Sequence, residues 1–284
     1  MFKNLSIYAF DAPLGVRWPD ALADSAFRPC GRLESERSGW VPPDPGQTPR
    51  LYLNVAGASL LTLRSQSRLL PASVLREAVD DARAEREAAE GRPLRKREVA
   101  ELRERLLVDM LPRAFLRNRH TSGCIDPITG LLVVDAATWS EAEAFTEFLR
   151  ATLRRLHVHP WAPSGLSGTL TRWLLEGPPG MVRLGENATL YDPAAVGSEA
   201  KLKRHDLSGD LVREHIRAGQ QVTELDVSWC GRFSVTLCAD GRMRRFKMLD
   251  VAADEDTTDF LLLLGELRGA LPALGRLLGE QDDG

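Results

Sequence analysis

Apolar residues recur along this chain with two periods, and the change from one to the other marks its elements. Near the start the period is two. Residues 5–10 alternate well enough for a strand, residues 19–25 fit a short helix leading into the Arg28-Pro29-Cys30-Gly31 turn, and Gly39-Trp40-Val41-Pro42-Pro43 opens a loop rich in Pro and Gly. Residues 52–56 and 60–64 read as two antiparallel strands joined by a Gly57-Ala58-Ser59 turn. After Pro71 the period becomes helical. Residues 73–90 are rich in Ala, Glu and Arg, and Gly91-Arg92-Pro93 breaks the run. A second helical stretch then covers residues 96–110, with Leu94, Val99, Leu102, Leu106 and Leu107 as its apolar stripe, and Pro112 ends it. The pair predicts a helical hairpin.

Residues 124–135 look like two short strands across a turn, followed by a helix over 140–156 that Ser140 and Glu143 begin as a capping box. A Pro/Gly/Ser-rich stretch at 160–168 marks a boundary. Beyond it the pattern predicts a helix at 170–176, short elements at 181–184 and 188–191, and a strand of alternating basic residues at 201–205. A helix over 208–217 closes at Gly219. Strands 222–229, 233–238 and 243–249 form a meander around Asp240-Gly241, and a helix over 259–278 ends the pattern. The expected fold class is α+β, with antiparallel sheets and packed helices. The expected domains are a central α+β unit (1–72 and 118–165) interrupted by a helical tip (73–117), then a base unit (166–284).

Composition narrows the function. A chain of 284 residues suffices for two or three packed units. No apolar run approaches the roughly 20 residues a membrane span needs, and no secretory signal is visible. A soluble, cytoplasmic protein without a membrane role is expected. Cys30, Cys124, Cys230 and Cys238 lack CxxC spacing and read as reduced thiols. The net charge of −3 misleads about partners, because from Asp250 onward nine acids face only Arg268 and Arg276, which leaves the rest net basic by about four charges.

That basic charge is clustered. Arg92, Arg95, Lys96 and Arg97 lie between and at the start of the predicted helices. Arg113, Arg117 and Arg119 follow them. Lys201, Lys203 and Arg204 form a third group, and Arg242, Arg244, Arg245 and Lys247 a fourth. Clustered cations that neutralise phosphates bind DNA through counterion release, with no geometry for reading bases. Strand alternation places Lys201 with Lys203, and Arg242 with Arg244, on one face. Arg76–Arg86, interleaved with acids, read instead as a solvated face.

Other chemistry is sparse. His157 and His159 read as a loop pair without further ligands at metal spacing. Asp126 and Asp135 flank a turn and offer the alternative of a Mg²⁺-dependent nuclease, although turn chemistry accounts for Asp126. No phosphate loop, nucleophile elbow or dinucleotide fingerprint occurs, so no catalytic residue, metal or cofactor is expected. A third alternative is a scaffold whose arginines bind acidic protein partners. Trp40 reads as a core aromatic and Phe115, past a helix end, as an exposed anchor.

The residues Phe2-Lys3-Asn4-Leu5, Phe27-Arg28-Pro29-Cys30-Gly31, Gly39-Trp40-Val41-Pro42-Pro43, Leu111-Pro112-Arg113-Ala114-Phe115, Ile125-Asp126 with Gly130-Leu131, and Asp240-Gly241 before a basic strand together resemble the bacterial recombination-associated RdgC family, nearly end to end. The resemblance implies a ring-shaped homodimer closed by contacts between helical tips and between base domains. Its basic hole would enclose double-stranded DNA, with single-stranded DNA as a second ligand and no sequence preference. It further implies a nucleoid-associated protein that competes with a RecA-type recombinase and is not an enzyme. By position, Arg92, Arg95, Lys96 and Arg97 fall in the tip, Phe115 at the tip contact, and Lys203, Arg204 and His205 on the basic base-domain strand. The expected DNA contacts are the six cations Arg92, Arg95, Lys96, Arg97, Lys203 and Arg204, joined by Arg117, Lys201, Arg242, Arg244, Arg245 and Lys247, with Phe115 and His205 at dimer interfaces. Where the family has lysines and a glutamine, this chain has Arg204 and His205, and it looks shorter between residues 250 and 260.

Overall fold

The computed structural model describes residues 2–10, 18–46, 48–154, 156–161, 165–195, 197–249 and 256–279, with only the backbone described at 256–259 and 278–279. Most of the acidic tail, the shorter stretch at 250–255 and part of the 160–168 boundary lie outside the described residues. Among the described residues no helix is long and apolar enough to cross a membrane.

Alternation builds the sheet from its middle. In β1 (Leu5–Phe10), Leu5 and Ile7 point to one side and Tyr8 and Phe10 to the other, and all four are buried. A strand covered on both faces belongs at the centre of a sheet. β1 lies there, in the order β2-β4-β5-β6-β1-β12-β11-β10-β8-β9, with β3 added on β4 and β7 on β1. These strands are β2 (Glu36–Val41), β3 (Tyr52–Val55), β4 (Ala58–Leu69), β5 (Phe115–Asp126), β6 (Leu131–Asp135), β7 (Val158–Pro160), β8 (Val182–Tyr191), β9 (Glu199–Leu202), β10 (Gln221–Trp229), β11 (Phe233–Cys238) and β12 (Met243–Met248). All the ladders between them are antiparallel. The sheet's two halves join at one registered pair, Leu5 with Met243, whereas β1 and β6 share five.

Helices cover the two faces. On the Leu5 and Ile7 side, α5 (Leu166–Glu176) and α7 (Asp256–Gly279) bury Leu170, Trp173, Leu263, Leu267 and Leu271 against β10–β12, with α6 (Asp210–Arg217) adding Val212. On the other side, α1 (Trp18–Asp24) and α4 (Trp139–Leu153) bury Leu22, Phe145 and Leu149 with Trp40, Leu61 and Ile125. Trp40 packs edge-on to Phe145 and Phe148 and donates its indole N–H to Thr152 Oγ1 at 3.0 Å. A side chain at Gly123 would place a Cβ 2.4 Å from the Phe145 ring, so that strand position requires glycine. α2 (Ala72–Glu90) and α3 (Lys96–Met110) connect β4 to β5 and touch each other.

Several boundaries differ from the sequence expectation. β4 and β5 run for twelve residues each, paired from Ser59 with Ile125 to Leu69 with Phe115, because the pairing carries on through residues 65–69 and 115–121, which lack apolar alternation. Their turn partner β3 enters through Ala56 and Gly57, both at positive φ, which supplies hairpin twist. α4 starts one residue earlier than expected, capped by Thr138, whose Oγ1 accepts from the Glu141 amide at 3.3 Å. The stripe expected on α3 is not buried; only Leu94, ahead of the helix, is. His159 lies in β7, paired with Ala9, and not in a loop. β9 ends at Leu202, and Arg204 adopts a left-handed backbone at φ 50°, so the expected basic strand over 201–205 stops after its first lysine.

An ion pair joins α7 to the end of β5. Arg268 donates to both oxygens of Asp126, at 2.8 and 2.9 Å, and to the Ala56 carbonyl at 2.9 Å. Burial pushes the Asp126 carboxyl up, but bonds from Arg268, Thr129 and the Ile128 amide outweigh it and hold the group below its usual range. A depressed carboxylate stabilises the fold above its unfolded value, and that contribution fades as pH falls through the lowered one. Arg268→Met is expected to cost about 2–3 kcal/mol at neutral pH. In urea melts followed between neutral and acid pH, its deficit relative to the parent should shrink as the solution is acidified.

Candidate nucleic-acid interface

The half of the sheet made by β8–β12 has one bare face. Leu225, Val227, Val235, Leu237, Met243 and Phe246 point into the core under α5 and α7. Asn187, Thr189, Glu224, Asp226, Thr236 and Lys201 line the opposite side. Three cations join them through a bulge. Thr236 faces Arg244 and Ser234 faces Lys247, so two steps on β11 match three on β12, and Arg245 sits between with φ 55°. Met243 and Phe246 are therefore both buried, while Arg244, Arg245 and Lys247 all face outward. Simple alternation would have turned Arg245 inward.

These side chains are already engaged. Arg244 NH1 lies 2.7 Å from Glu224 Oε1, and Arg245 NH2 lies 3.2 Å from Asp226 Oδ1 while its Nε donates to Thr236 Oγ1 at 2.9 Å. Asp226 also accepts from Asn187 Nδ2 at 2.6 Å and from the Thr236 hydroxyl. Lys201 pairs with Glu199 at 2.9 Å, and that carboxylate raises the lysine's pKa. Lys203 and Arg204 are exposed beyond the end of β9 and, with Lys247, make no ion pair among the described residues. Arg242 precedes β12, pairs with Asp240 at 2.7 Å and donates to the Ala137 carbonyl at 2.6 Å. It ties the β11–β12 turn to the start of α4.

A second basic region lies on the same side of the sheet. Arg117 and Arg119 face Ser67 and Ser65 across the ladder and line a cleft with Thr121 and Glu141. Arg119 pairs with Glu141 at 2.7 Å, while Arg117 is exposed and makes no ion pair among the described residues. Between the two regions runs α4, whose exposed positions include Glu143 and Glu147.

The remaining predicted residues are scattered. Arg92 is clamped by Glu98 at 2.7 Å and Glu90 at 2.6 Å, which raises its pKa, and Arg97 pairs with Glu101 at 3.0 Å. Arg95 and Lys96 are exposed at the start of α3 and make no ion pair among the described residues. Phe115 opens β5 with 83% of its surface exposed, paired with Leu69 and followed by Leu116, both also exposed. His205 is half-buried; its amide donates to the Glu186 carbonyl at 2.9 Å.

The carboxylates of the nuclease alternative are not brought together. Asp126 faces Leu131 across the ladder, so Asp135 lies four residues further along, about 13 Å at strand rise. Asp126 is taken by Arg268, and Asp135 accepts from the Lys3 and Asn4 amides at 3.0 and 2.9 Å. Among the described residues no group of three or more His, Cys, Asp or Glu could hold a metal ion.

Sequence reading missed the acids of the interface. Glu224 and Asp226 alternate with Leu225 and Val227 in β10, so their exposure was readable, but their arginine partners depend on the register of β10, β11 and β12.

Fold and site thus define an α+β protein with a polar, cation-bearing sheet face. Residues 1–281 match the family model described as "Putative exonuclease, RdgC". The Recombination-associated protein RdgC of Halorhodospira halophila is 41% identical over 272 residues, covering 91% of this chain and 90% of that protein. The protein of the same name from Salmonella typhimurium is 32% identical over 295 residues, covering 98% and 97%. The chain belongs to the RdgC family of recombination-associated proteins.

The two kinds of cation should separate in chemical denaturation. Arg242→Ala, which loses a half-buried ion pair and a carbonyl bond, is expected to cost about 1–2 kcal/mol, whereas Lys247→Ala should stay within about 0.5 kcal/mol of the parent.

Proposed function

We propose that this chain binds DNA through its phosphates without reading sequence, duplex first and single strands second. In this reading it acts as a ring-shaped homodimer around the duplex and limits access of a RecA-type recombinase at the nucleoid. The observation that carries the reading is the β12 bulge, which gathers Arg244, Arg245 and Lys247 on one open sheet face. A planar array of cations without base-reading geometry suits a regular polyanion. The names of the relatives, which associate them with recombination, support the same direction.

The residues divide by role within this proposal. Lys201, Lys203, Arg204, Arg244, Arg245 and Lys247 on the base unit (166–284), with Arg117 on the central unit (1–72 and 118–165), contact phosphates. Arg95 and Lys96 on the tip (73–117) are free to do so, whereas Arg92 and Arg97 serve the tip's own ion pairs and Arg242 serves the fold. Exposed Phe115, flanked by Leu69 and Leu116, offers an apolar contact for a second copy's tip, and His205 lies beside the base strand where the second contact would form. The function needs no catalytic residue, cofactor or metal.

Salt titration of DNA binding tests this. Affinity should fall about 10³-fold or more between roughly 50 and 200 mM salt and vary little with sequence, and Lys247→Ala or Arg117→Ala should each lower the slope of log K against log salt by about 0.9. Sedimentation should give a dimer that Phe115→Asp weakens, and closed circular DNA should be retained longer than linear DNA. Salt-insensitive or sequence-selective binding would overturn the reading. Plasmid cleavage in Mg²⁺ that disappears with Asp126→Ala and Asp135→Ala would replace it with the nuclease, and retention of acidic proteins in place of DNA with the scaffold.

A further inference from the structure

The cations gathered by the bulge meet carboxylates that the fold supplies independently. Glu224 and Asp226 stand two residues apart on β10, so strand alternation puts both on the open face, opposite Arg244 and Arg245 across β11. They do not depend on the arginines for their position. Asp226 is anchored by Asn187 and by the Thr236 hydroxyl, and Glu224 by Thr189 at 3.4 Å. If Arg244 and Arg245 turned toward a phosphate, the two acids would remain beneath it.

We infer that Glu224 and Asp226 are built-in competitors for DNA phosphate, which occupy Arg244 and Arg245 in the free protein and hold down the affinity of the bound one. The inference rests on the DNA-binding reading above. Its physical basis is charge accounting. A carboxylate that stays beside a bound phosphate repels it and retains a cation, which cancels the counterion release its arginine would contribute. An isolated anion gains too little from one arginine to displace an acid already in place. A polyanion reaching Arg244, Arg245, Lys247 and Lys201 together can do so, because Lys247 makes no ion pair among the described residues and the contacts are made jointly. The acids thereby select for long polyanions and keep binding reversible.

The test uses the full chain, a labelled duplex and fluorescence anisotropy across salt concentrations, with thermal melts of each variant. Glu224→Gln with Asp226→Asn keeps hydrogen-bonding groups in place while removing both charges. It is expected to bind roughly tenfold tighter near 0.1 M salt, with a slope of log K against log salt steeper by about 1 to 2. Equal or weaker binding with an unchanged melting temperature overturns the inference, since the acids would then only position the arginines. Should Asp226→Asn lower the melting temperature, Glu224→Gln alone decides: about threefold tighter binding and a slope steeper by up to about 1 support the role, and no gain overturns it. A parent chain that retains no duplex even at low salt overturns the DNA-binding reading itself, and the competitor role with it. A parent that binds while the charge-neutral variants gain nothing refutes the competitor role alone.

Discussion

The architecture depends on the burial of both faces of β1. Leu5 and Ile7 enter one core and Tyr8 and Phe10 the other, so six residues carry the apolar load of two layers. Everything else is arranged around that double demand. α7 and α5 cover one side, α4 and α1 the other, and the strands flanking β1 extend the sheet in both directions. Because β12 is registered to β1 only through Leu5 and Met243, the continuity of the sheet there relies on side-chain packing beneath it more than on backbone bonds. Arg268 reinforces that packing from α7, reaching across to Asp126 at the end of β5 and to Ala56 beyond it.

How much of this could be read from the sequence follows from where the information lies. Elements with an apolar face, such as β1, β10, β11 and α4, were legible because burial leaves a period in the chain. The outer halves of β4 and β5 were not, because residues such as Gln66 with Asn118 and Ser67 with Arg117 are held as strand by pairing across the ladder, and a cross-strand ladder leaves no local period. The expected apolar stripe of α3 failed for the opposite reason. Its leucines have helical spacing, but within one chain they meet too little partner surface to be buried.

The candidate interface divides in the same way. That the chain carries clustered cations was evident, and so was its resemblance to the RdgC family. Which of them are available was not. Arg242 and Arg244 are two residues apart, yet one ties a turn to α4 and the other faces solvent, since the strand begins between them. The acids that balance the cluster come from another strand, invisible to any scan of neighbouring charges. Local clustering therefore overstated the positive field of this surface, while net charge understated it.

The bulge in β12 also has a bearing on how such a surface can change. Without Arg245, the residues Met243, Arg244, Phe246 and Lys247 would alternate without interruption, two inward and two outward. Arg245 is thus a surplus residue, added to a strand whose packing is complete without it. Its cost is confined to its own left-handed backbone. Substitution or even loss of that residue would leave the core pattern in frame, so the charge of the face can change without disturbing the packing beneath it.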